Sequence, residues 1–363
     1  MAVARRHWAV ALATGAWLAA CAGAPQSEGG TLAAGADTAK ADGVFAQDAG
    51  NFPDLSGTAD AAADGAAEAA GQEVAAAGDT ATGVDWVAAD SAADKAPATI
   101  GAIRPADVTV PKAWATQQKW PLILILHGYG ASGAVQDGYL GISARADQFG
   151  FVTVVPNGTL DASGKLYWNA SDACCDFAKV GGDDVTYLTS LIDEAVAKLR
   201  VDPARVYLLG HSNGGFMALR MACEKADKVT AVASLAGAAN ADAGKCQPTQ
   251  AVSVLQIHGT LDAVINYNGG MVAPFSYPSA AQTVAQWRKL DGCNDTAIDD
   301  PPIDFEALLL GNETTRQHWA GCAQATRTDL WTISGGTHIP AFTDGFREAV
   351  IAHLLAQVRT PKL

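Results

Sequence analysis

Val206-Tyr207-Leu208-Leu209-Gly210-His211-Ser212-Asn213-Gly214-Gly215-Phe216-Met217-Ala218-Leu219 reads as a buried strand, a tight turn and the start of a helix. The apolar run Val206 to Leu209 suits a strand covered on both faces, and the pattern from Gly214 to Glu224 has helical spacing. Between them stands Ser212, flanked by Gly210 and Gly214 in a G-x-S-x-G arrangement. Glycine is the residue that fits where the backbone of a strand-to-helix turn crowds its neighbours, and such a turn lifts a serine above the edge of a sheet. Ser212 is therefore the candidate nucleophile.

Outward from this turn, strand-like and helical runs alternate, which predicts a mostly parallel sheet with helices on both faces. Strands are expected at Leu122 to Leu126, Phe151 to Val155, Val206 to Leu209, Thr230 to Leu235, Val252 to Ile257 and Leu330 to Ile333. Val185, Leu188, Leu191, Ile192, Ala195, Val196 and Leu199 recur at helical spacing. Asp183 and Asp184 stand at that helix's start, where carboxylates cap free N–H groups. Further helices are expected at Gly214 to Glu224, Ala280 to Lys289 and Thr343 to Val358, and the whole forms one domain over residues 99–363.

An unassisted serine hydroxyl is a weak nucleophile and needs an oriented base. Ile257-His258-Gly259-Thr260-Leu261-Asp262 follows one expected strand, and Ser334-Gly335-Gly336-Thr337-His338 follows the last. Asp262 and His338 thus fall at the edge of the sheet that carries Ser212, in the chain order Ser, Asp, His of α/β-hydrolases. A capping aspartate or an ordinary loop histidine is the structural alternative for each alone. His211 and His258 are expected to be fixed by local packing, while His318 and His353 lack a comparable placement. The developing oxyanion needs backbone donors, which Tyr129 in Leu126-His127-Gly128-Tyr129-Gly130 and Asn213 after the serine can supply.

The first hundred residues are of another kind. Residues 1–21 carry Arg5 and Arg6, an apolar run and Leu18-Ala19-Ala20-Cys21, the pattern of a secretory signal that ends like a lipoprotein leader, with Cys21 as the lipidated residue. Residues 22–98, rich in Ala, Gly and Asp, hold thirteen acidic residues against Lys40 and Lys95, and so account for most of the net charge of −14. With so few bulky apolar side chains this stretch is expected to be a disordered tether. No basic patch points to nucleic acid.

Six cysteines remain beyond Cys21, an even number that suggests disulfides in an exported chain. Cys293 and Cys322 flank a variable stretch and are expected to pair, with Cys174, Cys175, Cys223 and Cys246 forming the other bridges. Adjacent Cys174 and Cys175 are not expected to bond each other, because such a bridge strains the peptide between them. Metal-ligand spacings such as C-x2-C are missing, so no metal is expected, and acyl transfer through serine requires no cofactor.

The segments LHGYG (Leu126–Gly130), YWNASDACC (Tyr167–Cys175), GGDDVTYLTSLID (Gly181–Asp193), DPARVYLLGHSNGGFMALRMACE (Asp202–Glu224), QIHGTLD (Gln256–Asp262) and GGTHIP (Gly335–Pro340) together resemble the polyhydroxybutyrate depolymerase and feruloyl esterase-like family of secreted α/β-hydrolases. The likeness runs from about Pro121 to Leu355. It implies an α/β-hydrolase fold and a serine esterase in which Ser212, Asp262 and His338 form the triad, with Tyr129 and Asn213 at the oxyanion hole. It further implies that Trp168 and Asn169 border the cleft. Many members continue His-Thr-Trp-Pro, whereas this chain has His338-Ile339-Pro340-Ala341-Phe342, so that one aromatic cleft wall is expected either to be absent or to shift to Phe342. The stretch Asp295 to Glu313 has no obvious match in the family.

The expected substrate is an ester, small or polymeric, and the expected state is a monomer whose only tie to a membrane is its lipid anchor. A peptidase of the same fold is the alternative within enzymes. A tethered, inactive binding module is the alternative outside them. A tether of about 77 residues has an r.m.s. reach of roughly 45 to 50 Å, extended further by charge repulsion. Cys21→Ala is expected to release active enzyme into the soluble fraction, read by fractionation, and a variant that stays with the membrane would contradict the lipoprotein reading.

Overall fold

The computed structural model describes residues 95–360 apart from 118 and 273; the expected leader, Cys21 and nearly all of the tether lie outside them. The central sheet has ten strands, in chain order β1 (Thr99–Ile100), β2 (Ala106–Thr109), β3 (Trp120–Leu126), β4 (Val152–Val155), β5 (Val201–His211), β6 (Ala231–Leu235), β7 (Ser253–Gly259), β8 (Ile298–Ile303), β9 (Thr314–Trp319) and β10 (Thr328–Ile333). Their spatial order is β1-β2-β4-β3-β5-β6-β7-β10-β9-β8. The run from β4 to β10 is parallel, and antiparallel strands close both edges.

The alternation of side chains along β3 explains why that strand is apolar throughout. Leu122, Leu124 and Leu126 pack into one core with Leu208, Val254 and Met217, while Ile123 and Ile125 pack into the other with Leu209, Ile257 and Phe346. Both faces are covered by helices: α1 (Gly133–Leu140), α2 (Asp184–Lys198), α3 (Asn213–Glu224), α4 (Ala280–Leu290) and α5 (Asp344–Leu355). Asp183 caps α2 by accepting from Thr186 N at 2.9 Å, and Ser279 with Gln282 forms a reciprocal capping box on α4. Helix α5 is shorter than its apolar pattern suggested, beginning after Thr343, whose hydroxyl accepts from Phe346 N, and ending at Leu355.

The stretch Asp295 to Glu313 supplies β8, which with β9 extends the sheet. Its sequence, Ile-Asp-Asp-Pro-Pro-Ile, hides a strand because proline cannot donate to a ladder; only the outermost position tolerates it.

Three disulfides close among the described residues: Cys293–Cys322 is the expected pair, with a Cα separation of 3.8 Å, whereas Cys223–Cys246, at 5.4 Å, replaces the expected pairing of these two cysteines with Cys174 and Cys175. The third corrects the sequence expectation. Cys174 bonds Cys175, since Cys223 and Cys246 take each other and leave these two together in a tight buried bend. That bend is tied by Ser171 N donating to Cys174 O at 2.7 Å and Phe177 N to Cys175 O at 2.9 Å.

Asp291, at the C-terminal end of α4, is wholly buried; Oδ1 accepts from Val252 N at 3.1 Å. Burial pushes its carboxyl up to about 7. The folded chain thus holds a proton there that the unfolded chain releases near pH 4, so stability falls as pH rises from about 4 to about 7. Asp291→Asn keeps the acceptor and removes the titration. Thermal unfolding is expected to show the variant more stable than wild type at pH 8, on the order of 1.4 kcal/mol per unit of pKa elevation, with the gap closing toward pH 4.

Candidate active site

The turn after β5 holds Ser212 at φ 54°, ψ −121°, a conformation that non-glycine residues rarely adopt. Ser212 N donates to Leu235 O on the neighbouring strand at 2.8 Å. The crowding that makes glycine necessary is explicit: a Cβ on Gly210 would strike the Gly214 carbonyl, and one on Gly214 would strike the carbonyl of Leu126. Gly128 comes so near the serine that its Cβ would sit 3.4 Å from that of Ser212.

Asp262 lies on the turn following β7. Its Oδ1 accepts from Val264 N and Ile265 N, each at 2.9 Å, which orients the carboxylate. Oδ2 meets His338 Nδ1 at 2.7 Å and has His258 Nε2 at 3.3 Å. Burial works to raise this carboxyl, but hydrogen bonds from His258 and His338, with the charges those rings carry when protonated, outweigh it and hold the group below the usual carboxylate range. With Nδ1 committed to an ionised carboxylate, Nε2 is the nitrogen of His338 left to take a proton.

The loops bearing the acid and the base touch through glycine, since a Cβ on Gly259 would meet the Gly336 carbonyl. Leu261 N donates to Gly336 O at 2.9 Å, and Gly335 N to Thr260 Oγ1 at 2.8 Å. His211, the residue before the serine, has Nε2 2.8 Å from the His338 carbonyl, so that nitrogen carries the hydrogen. Burial and the neighbouring His338 lower its pKa to about 3, so it stays neutral. His127 is also neutral, lowered to about 4 by burial; Nε2 accepts from Gly158 N at 2.9 Å and Nδ1 donates to Gly128 O at 2.8 Å. Both rings act as fixed struts.

Tyr129 follows Gly128, and its phenol donates to Asp161 Oδ2 at 2.5 Å. Asn213 is the first residue of α3, where a helix leaves its N–H groups without intrahelical partners. Its side chain forms a two-way clamp: Oδ1 accepts from Trp168 N at 2.7 Å and Nδ2 donates to Trp168 O at 2.8 Å.

Two of the expected cleft residues are corrected. Trp168 is wholly buried, its indole N–H donating to His127 O at 3.0 Å, so it packs the loop and presents no open wall. Phe342 is stacked on Phe346 with centroids 3.4 Å apart and is only 6 % exposed, because the loop turns it into the core beneath α5. Asn169 is half-buried and lines a cavity of about 390 Å³ beside α3, together with Phe216, Arg220, Asn240 and Lys245; Ser212, Asp262 and His338 are not among its lining residues.

Glu306, inside the unmatched stretch, escaped the sequence reading. Its Oε1 accepts from Ala341 N at 2.7 Å and its Oε2 from Leu308 N at 2.8 Å. Tyr139 donates to Pro340 O at 2.8 Å and Arg347 to Phe342 O at 2.7 Å, so the segment after His338 is held from several elements at once. The only signal was one acid within the apolar run Phe305 to Leu310.

A model of the phospholipase/carboxylesterase family matches residues 113–286. "Putative esterase NocK" of Nocardia uniformis subsp. tsuyamanensis is 30% identical over 262 residues, covering 69% of this chain and 74% of that one. Feruloyl esterase B of Piromyces equi is 28% identical over 239 residues, covering 64% of this chain but only 42% of that enzyme. A crystal structure of a thermostable esterase superposes with a TM-score of 0.50 at 15% identity, over 72% of this chain and 62% of that one, a likeness of fold. The chain belongs to the phospholipase/carboxylesterase family of α/β-hydrolases. It is a carboxylic ester hydrolase.

Because Glu306 ties down the loop after His338, Glu306→Ala is expected to lower kcat on a p-nitrophenyl ester by roughly ten- to a hundredfold with a smaller change in KM. Glu306→Gln, which keeps one acceptor oxygen, should recover part of the loss; steady-state kinetics on both variants checks this.

Proposed function

We propose that this chain is a serine esterase working through an acyl-enzyme, exported and lipid-anchored at the cell envelope, on feruloyl-type aromatic esters or polyesters outside the cell. The observation that carries the mechanism is the 2.7 Å hydrogen bond between Asp262 and His338 at the sheet edge where Ser212 occupies its strained turn. Ser212 Oγ attacks the ester carbonyl while His338 Nε2 takes the hydroxyl proton, and the N–H groups of Tyr129 and Asn213 receive the developing oxyanion. The alcohol leaves with that proton as the acyl-enzyme forms. Water, deprotonated by His338, then attacks the acyl carbonyl, and Ser212 leaves with the proton. Asp262 stays ionised throughout and stabilises the imidazolium.

The aromatic acyl group is supported by the relative named feruloyl esterase B, and export by the leader pattern ending at Cys21. A long acidic tether suits a substrate too large to be taken up. Ser212→Ala is expected to abolish turnover and fluorophosphonate labelling with the fold intact, His338→Ala to be nearly as severe, and Asp262→Asn somewhat less so. Retention of more than about a tenth of wild-type activity by Ser212→Ala would overturn the mechanism. On a panel of methyl ferulate, short p-nitrophenyl esters, polyhydroxybutyrate and an aromatic polyester, a strong preference for short aliphatic hydroxyacid esters would reassign the substrate.

A further inference from the structure

With Trp168 and Phe342 enclosed, an aromatic acyl group needs another ring to meet, and the geometry points to Phe177 as the residue that contacts it and sets acyl preference. This rests on the aromatic-ester reading above. Phe177 is 48 % exposed and aromatic, unlike the exposed Leu261 and Ile339 beside Asp262 and His338. It stands two residues beyond Cys175, on a segment joined to both proposed oxyanion-hole residues. On one side Asn213 Nδ2 lies 3.5 Å from Cys174 Sγ. On the other, the Phe177 ring packs edge-on against Tyr129, centroids 5.6 Å apart and planes at 68°. Tyr129 is itself fixed by its phenolic hydrogen bond to Asp161 and adjoins Gly128, which touches the serine turn.

In an edge-on pair at least one ring keeps both faces clear of the other, and a planar conjugated acyl group stacks offset on such a face. The ring packs on Tyr129, one of the two proposed oxyanion-hole residues, and is not itself needed to close the core. A lone exposed phenylalanine is common on protein surfaces. What separates this one is its bonded path to Tyr129 and to Asn213.

The test is the ratio of kcat/KM for methyl ferulate to that for methyl acetate in wild type, Phe177→Ala and Phe177→Trp, with Leu160→Ala, another exposed apolar side chain, as a surface control. Phe177→Ala is expected to narrow the ratio on the order of tenfold, chiefly through KM for the ferulate, while Phe177→Trp retains it. A ratio unchanged in Phe177→Ala, or one narrowed equally by Leu160→Ala, would overturn the assignment, as would an equal loss on both esters that marks Phe177 as packing only. A wild-type enzyme with no preference for the ferulate would overturn the aromatic-ester reading and this inference together, an outcome distinct from a wild-type preference that survives Phe177→Ala.

Discussion

The strand-to-helix turn at Ser212 is the constraint from which the other parts of the site take their positions. It holds a non-glycine residue at positive φ and succeeds only because the neighbouring backbones have no side chains in the way. Gly210 lets the turn close against Gly214, and Gly214 lets the start of α3 press on the end of β3. That contact sets how near the loop at Gly128 and Tyr129 comes to the serine. The cost of the strained turn, of order 1–3 kcal/mol, is offset by a sheet whose central strands are buried on both faces.

A second close approach of glycines, Gly259 with Gly336, joins the loops that carry Asp262 and His338. Such an approach fixes the spacing of acid and base through backbone contact, which is stiffer than contact between long side chains. Around it the polar groups serve orientation. His211 and His127 are kept neutral by burial, so each has one donating and one accepting nitrogen and can act as a directional strut. Asp262, by contrast, is kept ionised by its two histidine neighbours despite its burial. Neutral rings thus hold geometry on one side, and an ionised carboxylate orients His338 on the other.

The loop Trp168 to Phe177 is held from both sides by buried polar groups. Asp184, wholly buried at the start of α2, pairs with Arg104 at 2.8 Å and accepts from Asn169 N, so the loop's origin is tied to the helix beneath it. Asn213 grips Trp168 from the other side. The Cys174–Cys175 bend then turns the chain so that Phe177 emerges into solvent. Asp183 caps the helix, while Asp184, read with it as a cap in the sequence, instead takes Arg104 and Asn169, a role visible only once the two converge on it.

Taken alone, the sequence determined the features that depend on local pattern: the apolar runs of the parallel strands, the glycines of the serine turn, and the order in which Ser212, Asp262 and His338 follow their strands. These were legible because a strand buried on both faces must be continuously apolar and a crowded turn must contain glycine. The tertiary structure decided what depends on residues distant in the chain. Trp168 and Phe342 look alike to Phe177 in a sequence, and only packing against His127 and Phe346 shows which rings are enclosed. The bond between Cys174 and Cys175 follows from Cys223 and Cys246 meeting across a separation of 23 residues. Glu306 gains its place beside the His338 loop by accepting a hydrogen bond from Ala341 N, 35 residues away. Periodicity and turn chemistry act over a few neighbours, whereas burial and pairing are properties of the closed fold.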